Sequence, residues 1–338
     1  MKVAVFGSGY WATFQVRAWQ ALGVEIVAVW NRTSEKAVIF AKENNIQKVF
    51  QTPEEVFEWG EFDIADIIAD VGAHERLVAM AARFGKGVIC QKPMSDTLES
   101  CRRMADLCLE ANVWFAIHEN FRYQPATLAL KKELNSGIIG EPLRAHLSMR
   151  SPDLDIMAKQ PALTTMPHMV LRDMGPHMFD VARFLFGEME SIFALPVNSY
   201  PQYDVPDTAL CTLRSRNGMA IHCDLVHSWN DRFFVEGTKG SITLDHEQIM
   251  HIETGAKKIE YEANILPQLS YIPEEDLYLH GTHIFASIPN CLQDLREAWM
   301  QKRPASTSGV DNLKTMELVF AAIQSFDTQQ SIKIGGLL

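Results

Sequence analysis

The sequence predicts an α/β protein, with an N-terminal doubly wound parallel sheet followed by an α+β domain on an open, mostly antiparallel sheet. Three observations predict it. Lys2–Phe6 (KVAVF) is an apolar run that leads at once into Gly7-x-Gly9-x-x-Ala12 and a helical pattern. Strand-like and helix-like stretches then alternate to about residue 120. Beyond Arg122 period-two strands take over, the pattern of antiparallel strands with one covered face. The domains are accordingly drawn at 1–121 and 122–338.

Each element of the first half has a local cause. Thr13–Leu22 reads as a helix stopped by Gly23, and Val24–Trp30 as the second strand. A helix near Ser34–Asn44 leads to a short strand at Lys48–Gln51, and Pro53–Trp59 is a short helix with proline in its first turn. Asp63–Ala69 (DIADIIA) is the fourth strand, His74–Phe84 a helix and Gly87–Cys90 the fifth strand. Asp96–Ala111 is a long amphipathic helix, and Val113–Asn120 closes the sheet. In the second half, strands are predicted at Leu143–Met149, Ala209–Ser215, Met219–Leu225, Arg232–Gly237 and Ser241–Leu244, with a last helix at Asn312–Thr328. Ser151–Pro167 and Ala263–Glu274 read as loops able to bind a ligand.

The glycine motif carries the first chemistry. Gly7 permits a tight bend, Gly9 lets the backbone approach a pyrophosphate, and Ala12 allows close packing of helix on strand. The helix N-terminus, with Ser8, Tyr10 and Trp11 around it, offers N–H donors to an anion. An acidic residue at the end of the second strand would bind the ribose 2′-hydroxyl of NAD. Here Asn31-Arg32-Thr33-Ser34 offers a guanidinium and hydroxyls to a 2′-phosphate, so NADP is expected, with NAD as the alternative.

Composition narrows the class. The chain has 338 residues, enough for two domains with sizeable cores, and 47% hydrophobic with 22% charged residues is an ordinary soluble balance. A formal net charge of −11 without a basic stripe argues against nucleic acid or an anionic membrane as partner. Without an apolar stretch of spanning length or a signal peptide, a cytoplasmic protein is expected. Six cysteines with no C-x-x-C pair read as reduced, mostly buried thiols. No metal is assigned, because pairs such as His280/His283 lack a convincing set of ligands.

Two further segments can act on a substrate. CQKP (Cys90–Pro93) follows the fifth strand and so puts Lys92 at the carboxyl ends of the strands, where ligands of such sheets bind. In DMGPHMFD (Asp173–Asp180) a helix is expected to start, with Met178, Val181, Ala182, Leu185 and Phe186 as its apolar stripe. Asp173 and His177, four apart, fall on one helical face away from that stripe. A carboxylate beside an imidazole fixes its tautomer and raises its basicity, as a general base requires. The competing assignment is Asp173 as a helix N-cap and His177 as a solvated surface residue.

With GSGYWA, CQKP, HENFRY (His118–Tyr123), DMGPHMFD and GTKGSI (Gly237–Ile242), the chain resembles the Gfo/Idh/MocA oxidoreductase family, which includes glucose–fructose oxidoreductase and inositol dehydrogenases. The resemblance runs over nearly the whole chain, including Gly309–Ser325. It implies a Rossmann domain and a catalytic lysine at Lys92, in a Glu-Lys-Pro that here reads Gln91-Lys92-Pro93 with a cis peptide before the proline. It also implies an Asp-x-x-x-His pair at Asp173 and His177, and a place for Asn120 and Arg122 beside nicotinamide and substrate. Gln91 stands where the family has a glutamate on the nicotinamide ribose, and Asp70 to His74 replaces its Thr-Pro turn near the pyrophosphate.

The implied activity is hydride transfer between NAD(P) and a CH–OH carbon of a sugar, inositol or related polyol. His177 exchanges the hydroxyl proton and Lys92 stabilises the alkoxide. Arg150, His168, Arg172 and Trp229 are further substrate-binding candidates. The family's alternatives are glycoside hydrolysis with a recycled cofactor, or dinucleotide sensing without turnover. A homodimer or homotetramer is expected, because in this family a second subunit covers the open sheet face.

Overall fold

The computed structural model describes residues 1–150, 166–199, 206–226, 232–263 and 282–335. Among them the chain forms two compact units, the first holding Met1–Asn120 and Ile288–Met316 and the second the rest. The first stretch of the first unit ends at Asn120, one residue before the boundary drawn after 121. That division did not foresee the return of Ile288–Met316 to the first unit.

In the first unit strands and helices alternate as β1 (Lys2–Phe6), α1 (Tyr10–Ala21), β2 (Glu25–Trp30), α2 (Ser34–Glu43), β3 (Lys48–Phe50) and α3 (Pro53–Trp59). They continue as β4 (Ile64–Ile67), α4 (His74–Arg83), β5 (Gly87–Gln91), α5 (Leu98–Glu110) and β6 (Phe115–His118). The sheet is six-stranded, with order β3-β2-β1-β4-β5-β6, and its neighbours pair in parallel. This is the expected doubly wound sheet, with its order reversing between β1 and β4. Local chemistry sets its helix ends. Thr52 and Glu55 form a reciprocal capping box on α3, and Gly60 ends that helix in the left-handed conformation at φ 65°. The central strands are buried on both faces, and Phe6 stacks on Phe57 at 4.8 Å between ring centres.

The second unit contains α6 (Pro125–Ser136), β7 (Pro142–Arg150), α7 (Met169–Asp173), α8 (Gly175–Phe186), β8 (Met189–Val197), β9 (Thr208–Ser215) and β10 (Ala220–Val226). Then come β11 (Arg232–Gly237), β12 (Gly240–Leu244), β13 (Ile249–Thr254) and β14 (Lys258–Glu262). Helices α9 (Thr282–Met300) and α10 (Gly309–Thr328) each have residues in both units, and β15 (Ile332–Lys333) returns to the second. Its nine strands lie in the order β14-β13-β12-β11-β7-β10-β9-β8-β15. Every described pairing in this sheet is antiparallel except β7 with β10. Strand alternation buries Ala145, Leu147 and Met149 of β7 and leaves Arg144 and His146 exposed on the opposite face.

Among the described residues no helix is long and apolar enough to cross a membrane. All six cysteines are free and buried, and burial pushes the Cys101 and Cys108 thiols up to about 12, which makes them poor nucleophiles. Of the two expected binding loops, Ser151–Pro167 and Ala263–Glu274, residues 151–165 and 264–274 lie outside the described residues, as does His280.

Candidate active site

The glycine turn between β1 and α1 is built for close approach. Gly7 takes φ +118°, and a Cβ there would stand 2.4 Å from the Ile68 carbonyl oxygen, so no other residue fits without displacing β4. Above Gly9 a Cβ would meet nothing within 4 Å. Helix α1 begins with no side-chain cap and no acidic residue in its first turn, so that turn brings no carboxylate to its partial positive charge. The Ser8 Oγ is buried without a hydrogen-bond partner. The Ser8 amide donates to Asn31 Oδ1 at 3.2 Å, so Asn31 ties the turn to the end of β2. Tyr10 and Trp11 pack edge-on to each other, with Tyr10 also against Phe14, which occupies both rings in a cluster at the start of α1. Arg32 and Thr33 are exposed, and Arg32 pairs with no carboxylate among the described residues, whereas the Ser34 hydroxyl is held by Gln51 Oε1 at 2.8 Å.

The ends of β4 and β5 hold a buried polar chain that sequence reasoning missed. Asp66, in the middle of the apolar run of β4, accepts from Gln15 Nε2 at 2.7 Å and Trp19 Nε1 at 2.8 Å. Gln15 Oε1 accepts from Gln91 Nε2 at 3.1 Å, and Gln91 Oε1 accepts the Lys92 amide at 2.9 Å. Three links thus run from the strand interior to the backbone of Lys92, and the Lys92–Pro93 bond is cis as expected. The signal was present as a single carboxylate within a run of buried apolar strand residues. Gln91 is therefore engaged within the protein, a role its amide fills by donating and accepting at once, as a glutamate could not.

Two other expected cofactor contacts are drawn away. Asp70 Oδ1 accepts the Gly72 amide at 3.1 Å and caps the 3₁₀ turn Val71–Ala73. His74 is buried, with Nδ1 and Nε2 each 3.2 Å from a backbone oxygen, of Met94 and Ala69 respectively. Burial holds the His74 pKa below its ordinary value, so at neutral pH its single N–H serves one of those carbonyls. His74 thus links the segments after β4 and β5. Asn120 is buried just beyond β6.

Burial pushes the Asp66 carboxyl up to about 7, against the Trp19 and Gln15 hydrogen bonds that favour the anion. An unfolded aspartate ionises near pH 4, so over the interval from about 4 to 7 the folded chain holds a proton that the unfolded chain has lost. Stability from this group is full below about pH 4 and is lost as pH rises to about 7, roughly 4 kcal/mol at 1.36 kcal/mol per pH unit. Urea unfolding of the wild type and Asp66→Asn from pH 4 to 8 checks this. The wild type should lose stability relative to the variant as pH rises, and parallel curves would refute the buried, protonated carboxyl.

In the second unit, the residues expected to meet substrate divide. Arg122 is buried and clamps Asp180 with two guanidinium nitrogens, Nε donating to Oδ2 at 2.6 Å and Nη2 to Oδ1. Both of these donors go to a fully buried carboxylate, a role its assignment as a substrate-binding residue did not foresee. His168 stands 2.7 Å from Asp327, with its ring edge-on to Phe326. The Arg172 guanidinium lies over the Phe320 ring at 5.9 Å. Arg150 ends β7, but its side chain, like all of Trp229, lies outside the described ones.

The expected helix does start within DMGPHMFD, at Gly175, with Pro176 in its first turn. The placement of its two polar residues differs. Asp173 is the last residue of α7 instead of a cap on α8, whose N-cap is Met174. The pair therefore spans a junction between two helices. His177 does not lie on a solvated face, since α8 is buried almost all round. It is 7% exposed, and its ring stacks on Phe121 at 3.8 Å between centres and 9° between planes. A surface histidine is excluded by that burial. An imidazole held flat against a phenyl ring has a fixed orientation, which suits directed proton transfer.

Two family models match the chain: an oxidoreductase family with an NAD-binding Rossmann fold over residues 1–119, and the GFO/IDH/MocA C-terminal domain over residues 127–243. Among curated relatives, D-apiose dehydrogenase of Rhizobium rhizogenes is 29% identical over 100% of this chain and 99% of its own. D-Apiose dehydrogenase of Paraburkholderia graminis is 30% identical over 99% of this chain and 90% of its own. Among solved structures, an oxidoreductase from Agrobacterium radiobacter in complex with NAD+, L-tartaric acid and magnesium superposes with a TM-score of 0.94, at 30% identity over 100% of this chain and 99% of that one.

Proposed function

Because the chain belongs to the Gfo/Idh/MocA oxidoreductase family, we propose that it is an NAD(P)-dependent dehydrogenase acting on a CH–OH carbon of a small sugar or polyol, with D-apiose the first substrate to assay. The observation that carries this reading is the glycine turn of the first unit. An orphaned buried hydroxyl at Ser8, open space above Gly9 and an uncapped helix N-terminus fit a pyrophosphate, and Lys92 follows β5 of the same parallel sheet. The bound nicotinamide supplies a hydride acceptor, or a donor in the reverse direction. Gly9, Ser8 and the first amides of α1 hold the pyrophosphate. Lys92 hydrogen-bonds to the substrate oxygen and stabilises the negative charge that develops there as the C–H bond breaks. His177 accepts the hydroxyl proton, and Asp173 acts through it by favouring the basic tautomer. Absorbance of the reduced cofactor at 340 nm during a screen of D-apiose, other pentoses and inositols tests the assignment. Release of free sugar from glycosides without net change in cofactor would favour the hydrolytic alternative, and absence of turnover with tight dinucleotide binding the sensor.

Among the two cofactors we propose NADP. Arg32 and Thr33 are exposed at the end of β2, and no acidic side chain follows Trp30 to receive a ribose hydroxyl pair. Ser34, tied to Gln51, contributes less than the sequence suggested. The NAD+ held by the Agrobacterium radiobacter protein favours the competing choice. A guanidinium–phosphate contact is worth about 1.5–3 kcal/mol, so Arg32→Ala should weaken NADP binding roughly 10- to 100-fold and leave NAD nearly unchanged. Calorimetry with both nucleotides decides; equal affinities in the wild type would sink the argument from β2.

A further inference from the structure

We infer that His146, His222 and Asp224 form a binding site for a divalent transition cation of the zinc class, on the face of the nine-stranded sheet opposite its helices. The register of the sheet creates it. His222 on β10 lies directly opposite His146 on β7, and Asp224 follows two residues along β10, so all three project from the same face. Nothing in the chemistry proposed above uses them.

The three side chains each aim a ligand atom at a common point. Their ligand atoms all lie within 4.8 Å of one another. His146 Nε2 is 2.7 Å from Asp224 Oδ2, and His222 Nε2 is 2.9 Å from Asp224 Oδ1. That second contact is not a hydrogen bond. Asp224 Oδ1 is buried and has no hydrogen-bond partner, although an imidazole nitrogen stands within reach. A buried carboxylate oxygen left without a donor, with an imidazole nitrogen 2.9 Å away, is an acceptor available to a cation. Around a tetrahedral zinc with bonds of about 2.0–2.1 Å, neighbouring ligand atoms are about 3.4 Å apart. Admitting the ion therefore takes side-chain rotations that widen these two contacts by about 0.7 and 0.5 Å.

The surroundings are those of a ligand set and not of a random surface pair. Thr212, opposite His222 on β9, places Oγ1 3.3 Å from His222 Nδ1. A proton on Nδ1 shared with that hydroxyl leaves the Nε2 lone pair for the metal, the usual outer support of a ligating histidine. Ser148 Oγ donates to Asp224 Oδ2 at 3.3 Å and orients the carboxylate. Two imidazoles and one carboxylate are borderline donors that suit zinc better than magnesium or calcium, and they leave a fourth position to water. The site also joins β7 to β10, the single parallel pairing described in this sheet. Parallel pairing is the weaker ladder, so a metal cross-link there adds stability where the sheet has least.

The test uses the full chain, stripped with chelator and dialysed against Zn2+ or Co2+. One high-affinity ion per chain is expected, with visible Co2+ absorption of tetrahedral intensity and a rise in the thermal midpoint on adding Zn2+. His222→Ala and Asp224→Asn should each lower affinity at least 10-fold and abolish the Co2+ band, while His251→Ala, at a different histidine–carboxylate cluster of the same unit, should change neither. Cofactor affinity serves as the check that the variants are folded. No stoichiometric ion in the wild type would overturn the proposal. So would binding that survives both variants, or a Co2+ spectrum showing thiolate charge transfer.

Discussion

Replacing Lys92 with alanine is expected to lower turnover about 100- to 1,000-fold, the usual cost of removing one donor that stabilises a developing oxyanion. Dinucleotide affinity should barely change, because the assigned work of the lysine is done in the transition state and the glycine turn holds the pyrophosphate. Lys92 is suited to the task by its backbone. Its amide is fixed by Gln91 Oε1, and through Gln15 by a carboxylate inside β4, so the chain leaves the strand in one direction. Single-turnover rates with saturating cofactor, read beside calorimetric affinity, separate the outcomes. An unchanged rate would remove Lys92 from the chemistry, and a loss of cofactor binding equal to the loss of rate would make it a binding residue. His177→Ala should match the Lys92 loss, and Asp173→Asn should be milder or move the pH optimum. Full turnover in both of these variants would end the acid–base assignment.

The first unit was legible because its causes are local. The capping box at Thr52/Glu55, the glycine stops and the short apolar runs each act over a few residues, and Pro53–Trp59 appears at the predicted bounds. The second unit was read less fully. Helix α9 went unread because Pro289 sits inside it, where a proline ordinarily ends a helical pattern. Strand β14 (KIEYE) is mostly exposed and charged, so it shows no apolar alternation, and it pairs on one edge only with β13. The site divides in the same way. The glycine turn and Lys92 could be found from spacing, but Arg122 with Asp180 could not, since the two lie 58 residues apart and each alone looks like an ordinary surface charge. Asp66 was hidden for the same reason: only burial distinguishes it.

Asp180→Ala is expected to destabilise the protein by about 3–5 kcal/mol, because it removes one partner of a buried, bidentate ion pair. The wild-type pair is deeply placed, with side-chain exposures of 8% for Arg122 and 0% for Asp180, and its geometry is bidentate. The Arg122 side chain also lies 5.5 Å over the Phe184 ring, so its position is fixed from two directions. Removing the charge pair as a unit should cost far less. An Arg122→Met/Asp180→Leu double variant keeps similar volume and removes both charges of the pair, so it should recover most of the stability lost by Asp180→Ala. Turnover should not recover in parallel. Arg122 shares a 3₁₀ turn with Phe121, the ring on which His177 stacks, and Asp180 lies in the same helix as His177. The ion pair thus ties the turn that carries Phe121 to the helix that carries His177, so the double variant should remain slow while folded. Urea unfolding and steady-state kinetics on the three proteins decide the matter. A single variant that loses less than about 1 kcal/mol would mean the pair is screened by solvent, and a double variant with wild-type kcat would mean that His177 is oriented by the Phe121 stack without the clamp.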